Sequence, residues 1–227
     1  MDDDFEPGRP VSVVRLFPLR DVVLFPHTIL PLHIYEPRYR QMTEDALARD
    51  KTIAIVRLKP GPADGPAVPA IEDVACVGEI VRHQRMADGQ FNILLAGRRR
   101  VRLRREVPSE KLYRIAEADV IEDYQGKTDL KQRRRVFVTL CHDVLRAAKV
   151  EEIDLTWLWN SKLSLGVVTD IAAAALALAP ETRQALLAEN RVDRRLETLI
   201  ALLVGLQAGA VSKKKETRPF PPLFSSN

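Results

Sequence analysis

Gly126-Lys127-Thr128 is the first place in the chain where residue types suggest chemistry. Such a triplet closes a phosphate-binding loop when a second glycine stands five residues ahead, so that backbone N–H groups curl around the phosphates. Position 121 is Ile, and no glycine lies between Gly97 and Gly126, so the nucleotide reading fails and the triplet reads as a linker turn before a helix. The histidines His27, His33, His83 and His142 are scattered, without cysteine or carboxylate partners at zinc-ligand spacing. No Gly-x-Ser-x-Gly elbow occurs. Ser161, Lys162 and Ser164 lie close together, but nothing near them supplies an oxyanion site. Cys76 and Cys141 sit in different predicted elements and read as two buried free thiols. These residues point to a non-enzymatic protein with no metal and no cofactor.

Charge is the sharper signal. Lys and Arg total 35 against 31 Asp and Glu, a net charge of +4, but the arginines cluster in Gly97-Arg98-Arg99-Arg100-Val101-Arg102-Leu103-Arg104-Arg105. On a strand, Val101 and Leu103 face one way and Arg100, Arg102 and Arg104 the other. Three outward arginines can track phosphates, which makes RNA an alternative partner. The other reading pairs them with Glu79, Glu106, Glu117 or Asp119 on neighbouring strands. The strand itself carries no aromatic on which bases could stack.

The elements that must position these residues fall into two kinds. Residues 1–12 read as a flexible arm. From 13 to 124 short apolar runs predict strands: Val13–Phe17, Val22–Phe25, Thr28–Ile34, Ile53–Leu58, Val74–His83, Gln90–Ala96, Arg99–Glu106 and Leu112–Glu122. Pro18, Pro26, Pro31 and Pro37 corner the first of these. Each proline lacks a ladder donor, and Pro37 suits the first turn of a helix reaching about Arg49, with Arg40 and Glu44 as an i,i+4 pair. Lys59 to Pro69 reads as a surface loop, and Asp88-Gly89 as a hairpin turn. Many short, mainly antiparallel strands with one helix predict a small β-barrel.

Over 125–207 the period becomes helical. Helices are expected at Thr128–Lys149, with Thr128 as its cap, at Asp154–Trp159, at Ser164–Ala179, at Glu181–Glu189 and from Asn190 past Leu206, forming a bundle. Residues 208–227 form a basic, Pro-rich tail. The longest apolar run, Ile171–Ala179, is about half of what spans a bilayer. With an acidic N-terminus, this predicts a cytoplasmic protein with no membrane partner.

Phe17-Pro18-Leu19-Arg20-Asp21-Val22-Val23-Leu24-Phe25-Pro26, then Leu30-Pro31-Leu32, resembles the N-terminal substrate-binding domain of the ATP-dependent protease Lon. Cys76-Val77-Gly78-Glu79-Ile80 and Leu94 through Val101 are similar to further strands of that family, and Asp170–Ala179 with Arg194-Leu196-Glu197-Leu199 to its helical part. The resemblance implies an α+β fold: a PUA-like small β-barrel with one or more short helices, followed by a C-terminal helical bundle. It also implies a role in recognising protein substrates. The chain carries no Walker motif and no Ser/Lys peptidase domain, so it looks like a stand-alone Lon-domain protein.

The expected function is non-catalytic binding of exposed hydrophobic or unfolded protein segments, in protein quality control or substrate recognition for proteolysis. A protease or chaperone is a further expected partner class. The candidate protein-binding residues are Phe25, Pro26, Tyr35, Tyr39 and Phe91, with Glu36 and Arg38 as a polar rim. The alternative, an RNA-binding module, rests on Arg98–Arg105, and above all on Arg100, Arg102 and Arg104.

Overall fold

The structure, a computed structural model, describes residues 12–61, 68–126, 130–147 and 163–212. The expected arm, the Thr128 cap, the Asp154–Trp159 turn, most of the Lys59–Pro69 loop and most of the tail lie outside them. The sheet contains β1 (Ser12–Leu19), β2 (Ile29–Ile34), β3 (Thr52–Arg57), β4 (Val74–Arg85), β5 (Phe91–Val107) and β6 (Ile115–Ile121). The helices are α1 (Pro37–Leu47), α2 (Lys131–Ala147), α3 (Leu165–Ala175), α4 (Pro180–Ala188) and α5 (Val192–Ser212).

The six strands form one sheet in the order β2-β5-β4-β3-β1-β6, with a further β5–β6 ladder. The ladders therefore run in a circuit, β1 to β3 to β4 to β5 to β6 and back to β1, and β2 attaches outside it on β5. All pairs are antiparallel except β1–β3, the parallel pair that α1 helps to connect. Side chains alternate along each strand, so one set points into the circuit. Val14, Leu16, Ala54, Val56, Ala75, Val77, Val101 and Ala116 form that core.

Two expected strands merge and one is absent. Gln90–Ala96 and Arg99–Glu106 are a single strand, β5, whose first half pairs with β2 and second half with β6. Gly97, at the junction, lets the chain pass close to Phe25: a Cβ there would sit 2.0 Å from the Phe25 carbonyl oxygen. Val22–Phe25 forms no strand. Leu24 and Phe25 are buried, but the segment is irregular and turns at His27. Asp88-Gly89 makes the β4–β5 turn as expected, with Gly89 at φ 80° and Met86 N–H donating to Gln90 O at 2.8 Å.

α1 starts at Pro37 behind an extended Glu36 and buries Tyr39, Met42, Thr43 and Ala46. Glu44 pairs with Arg85 at 3.0 Å rather than with Arg40, because the β4 hairpin brings a better-placed cation to it. Tyr113 Oη donates to Asp45 Oδ2 at 2.7 Å, and Lys111 Nζ is 3.0 Å from the same carboxylate. Burial, and then the Asp45 acceptor, push the Tyr113 phenol up to about 12.

Two compact units emerge: Met1–Thr128 with Leu163–Arg195, and Asp129–Lys162 with Leu196–Asn227. In the first, α3 and α4 belong with the sheet. Ser164 caps α3 by accepting from Val167 N–H at 3.4 Å, and α4 opens on Pro180 as expected. Gln184 on α4 donates to Val74 O on β4 at 2.9 Å. Asn190 donates to Glu122 O at 3.4 Å. In the second unit α2 and α5 carry buried stripes, Phe137 and Cys141 on one and Leu196, Leu199 and Leu203 on the other. Arg133 and Glu197 form an ion pair between them.

Candidate functional site

The corner from Leu16 to Tyr39 is built by its prolines. Pro18 lies near the end of β1, opposite Val56, and Pro31 lies in β2, which among the described residues pairs with β5 alone. Pro26 precedes the His27 turn, and Pro37 opens α1. This arrangement divides the candidate binding residues into two groups. Phe25, Pro26, Tyr39 and Phe91 are buried. Tyr39 stacks at a tilt on Phe17, centroid to centroid 4.2 Å, and burial raises its phenol pKa ahead of the opposing pull of Arg38. Their rings therefore support the corner from inside.

The other group faces solvent. Tyr35 is 52% exposed and stacks on His33 at 6.1 Å. Arg38 is exposed, its guanidinium 4.6 Å from the Tyr39 ring centre and paired with the half-buried Glu36 at 2.7 Å. Ile29 is 56% exposed, and Pro31 and His33 are exposed with it. Alternate residues of β2, and Tyr35 just past its end, thus form an outward stripe of Ile29, Pro31, His33 and Tyr35. Ile29, which is not aromatic, stands outside the expected binding residues, and the strand period alone places it beside Pro31 and His33.

The arginine strand behaves differently from the expectation. Arg100, expected to face outward, is only 3% exposed. The alternation holds there, since Val74, Ala75 and Cys76 pair in step with Arg102, Val101 and Arg100, and Arg100 leaves the outer face only to be covered by α3 and α4. Arg100 grips Asp170 with both terminal nitrogens, one contact at 2.9 Å, and its Nε donates to Leu187 O at 2.9 Å. Arg195, wholly buried, donates to both Asp123 oxygens, at 3.1 and 2.7 Å, and to Thr169 Oγ1 at 2.9 Å. Burial pushes the Asp170 carboxyl up, against the pull of Arg100 and Arg195, while the Arg100 pKa rises despite its own burial. Those directions conflict over whether the carboxylate is ionised. The bidentate contact, with Arg195 Nε 3.4 Å away, decides for an ionised pair.

The remaining arginines mostly follow the pairing alternative. Arg98 meets Glu79 at 2.8 Å, Arg105 meets Glu117 at 2.6 Å, and Arg104 pairs with Asp119. Of the three nucleic-acid candidates, Arg102 alone is exposed without an ion pair among the described residues. The sequence did hold a clue to the buried cluster: Asp170 sits in the middle of an Ala- and Val-rich helix, where an ionised carboxylate needs a cation.

Two clefts lie on the surface of the described residues. One, of about 440 Å³, lies between Arg57, Glu72, Arg102 and Glu181. The other, of about 580 Å³, lies on the second unit between Arg133, Val136, Glu197 and Ile200. Neither holds a nucleophile beside a base. Cys76 and Cys141 are free and buried, and burial raises each thiol to about 12. Among the described residues no group of His, Cys, Asp and Glu is placed to hold a metal ion, and no helix is long and apolar enough to cross a membrane.

Residues 13–205 match the family model described as the ATP-dependent protease La (LON) substrate-binding domain. Lon protease of Azospirillum brasilense is 29% identical over 202 residues, 88% of this chain and 25% of that protein. Lon protease 3 of Sorangium cellulosum is 27% identical over 193 residues, 85% of this chain and 23% of that protein. The chain thus spans about a quarter of the length of the curated relatives it matches. Among solved structures, the N-terminal domain of Mycobacterium avium complex Lon protease aligns with a TM-score of 0.69 at 16% identity, covering 85% of this chain and 98% of that one. A Lon N-terminal domain protein from Xanthomonas campestris aligns with a TM-score of 0.60 at 23% identity, covering 84% and 98%.

Proposed function

Because the chain belongs to the Lon substrate-binding domain family, we propose that it is a non-catalytic module that binds exposed hydrophobic or unfolded segments of other proteins. It would serve protein quality control or substrate recognition for proteolysis, with a separate protease or chaperone as its working partner in the cytoplasm. In this reading the strand circuit is a PUA-like barrel, the scaffold for the corner.

The observation that carries the reading is the outward stripe of Ile29, Pro31, His33 and Tyr35, on and just past a strand that has one side unpaired among the described residues. Apolar side chains held in water by a rigid sheet gain about 25 cal/mol for each Å² they bury against a client. Glu36 and Arg38 form the polar rim of this surface. Phe25, Pro26, Tyr39 and Phe91 act beneath it, by fixing the backbone that presents Tyr35.

The test is binding of a permanently unfolded protein, reduced and S-carboxymethylated, followed by fluorescence anisotropy. Wild type should bind it and Tyr35→Ser should bind several-fold more weakly, with little dependence on salt. Absence of binding by wild type would overturn the proposal. A steep fall in affinity with salt, for a nucleic acid instead, would favour the RNA alternative through Arg102.

A further inference from the structure

We propose that clients of this module bind by adding a strand to the open side of β2, antiparallel to it, as an extended segment with alternating apolar residues. This rests on the protein-binding reading and specifies its geometry.

The argument begins with the β2–β5 ladder. In an antiparallel pair, alternate residues turn N–H and C=O toward the partner, and those between turn them away. Gly97 N–H donates to Thr28 O at 2.8 Å, and the register pairs Ile29 with Ala96 and Leu30 with Leu95. Thr28 therefore faces β5, and Leu30, Leu32 and Ile34 face it in turn. Ile29, Pro31 and His33 direct their backbone groups to the open side. Pro31 agrees with this phase: it has no N–H, and a proline is tolerated in a strand where no ladder bond is needed.

An open strand edge offers unpaired backbone donors and acceptors, and the complementary chemistry is another extended main chain. Ile29 and His33 would each exchange two hydrogen bonds with it. Pro31 would only accept one, from the client residue opposite. This gap also discourages β2 from pairing with β2 of a second copy, where the two prolines would interrupt the same short ladder.

The outer face supplies the side-chain preference. The register lines up three rows across β2, β5 and β4: Ile29, Ala96 and Glu79; Pro31, Leu94 and Arg82; His33, Asn92 and Gln84. Glu79 is taken by Arg98. Arg82 is exposed and has no ion pair among the described residues, but about 14 Å of sheet separates its backbone from an added strand, so its charge is screened there. An incoming strand would extend the rows by one more spacing of about 4.8 Å, placing apolar side chains beside Ile29 and Pro31.

The experiment uses the full chain, the unfolded protein of the preceding test, and a synthetic peptide of alternating Val with Thr and Glu. His33→Pro removes an outward N–H and leaves the β5 ladder intact, while His33→Ala keeps that N–H. The peptide should bind wild type and His33→Ala alike. It should bind His33→Pro roughly three- to tenfold more weakly, the factor that one lost backbone bond is worth. If His33→Pro does not fold, wild type still decides. N-methylating the peptide at the alternate residues that face β2 should abolish binding, and methylating the others should not.

Equal binding by His33→Pro, or indifference to which alternate set is methylated, overturns strand addition. Binding of the unfolded protein without binding of the peptide overturns it too, while leaving the proposed function standing. Binding of neither overturns both. A dimer of the free chain that His33→Pro dissociates would assign the edge to a second copy and overturn the client proposal.

Discussion

Two charged or open features of the first unit invite comparison: the Arg100–Asp170–Arg195–Asp123 cluster and the outer stripe of β2. The first seals polar groups inside, each guanidinium met by carboxylates and backbone carbonyls. The second leaves apolar side chains in water and, among the described residues, backbone groups without a strand partner. Buried ion pairs contribute less to net stability than their geometry suggests, because desolvation offsets the attraction, but removing one partner strands a charge. An exposed stripe adds almost nothing to folding and is available for binding. The comparison separates residues that hold the fold from residues free to act.

The largest expected effect is at the sealed end. Asp170→Ala leaves Arg100 buried without its main acceptor and should destabilise the protein by about 3–5 kcal/mol, read from the urea midpoint. The pair replacement Arg100→Met with Asp170→Leu should recover most of that loss. If the single and double variants are equally unstable, the cluster is doing more than balancing charge. A smaller effect tests a semi-buried contact. Tyr113 is held protonated in the fold, so its contribution is fully present below its ordinary value of 10.0 and is lost as pH rises toward about 12. Wild type should lose stability relative to Tyr113→Phe across that window, measured by denaturant melts at stepped pH. The smallest effect lies at the open end. Tyr35→Ser should move stability by less than about 0.5 kcal/mol while weakening client binding. A large stability loss would mean the stripe belongs to the fold after all.

Much of the local structure was legible. Pro37 and the apolar spacing after it marked α1, Asp88-Gly89 marked the β4–β5 turn, and Pro180 marked the break between α3 and α4. These depend on backbone chemistry within a few residues. The candidate site was less legible. Phe25, Tyr39 and Phe91 look like Tyr35 in the chain, since an aromatic ring serves a core or a surface equally well. Burial separates them, and burial depends on which strands lie above. Arg100 illustrates the same gap. Simple alternation puts it outside with Arg102 and Arg104, and the register agrees, but Asp170 on α3, 70 residues away, and Leu187 on α4 cover it there.

The sequence by itself determined the class of the protein. Its motif from Phe17 to Leu32, its strand-then-helix periods and its want of any nucleotide loop or nucleophile pattern follow from residue types at short spacing, where local sterics and hydrogen bonding act. The tertiary structure decided which residues are available. Whether a side chain meets water or a partner depends on contacts between segments far apart in the chain. Only the register of β2 on β5 shows that Ile29, Pro31 and His33 turn outward a backbone edge unpaired among the described residues, and only packing shows that the strongest charges of the arginine strand are already held by carboxylates.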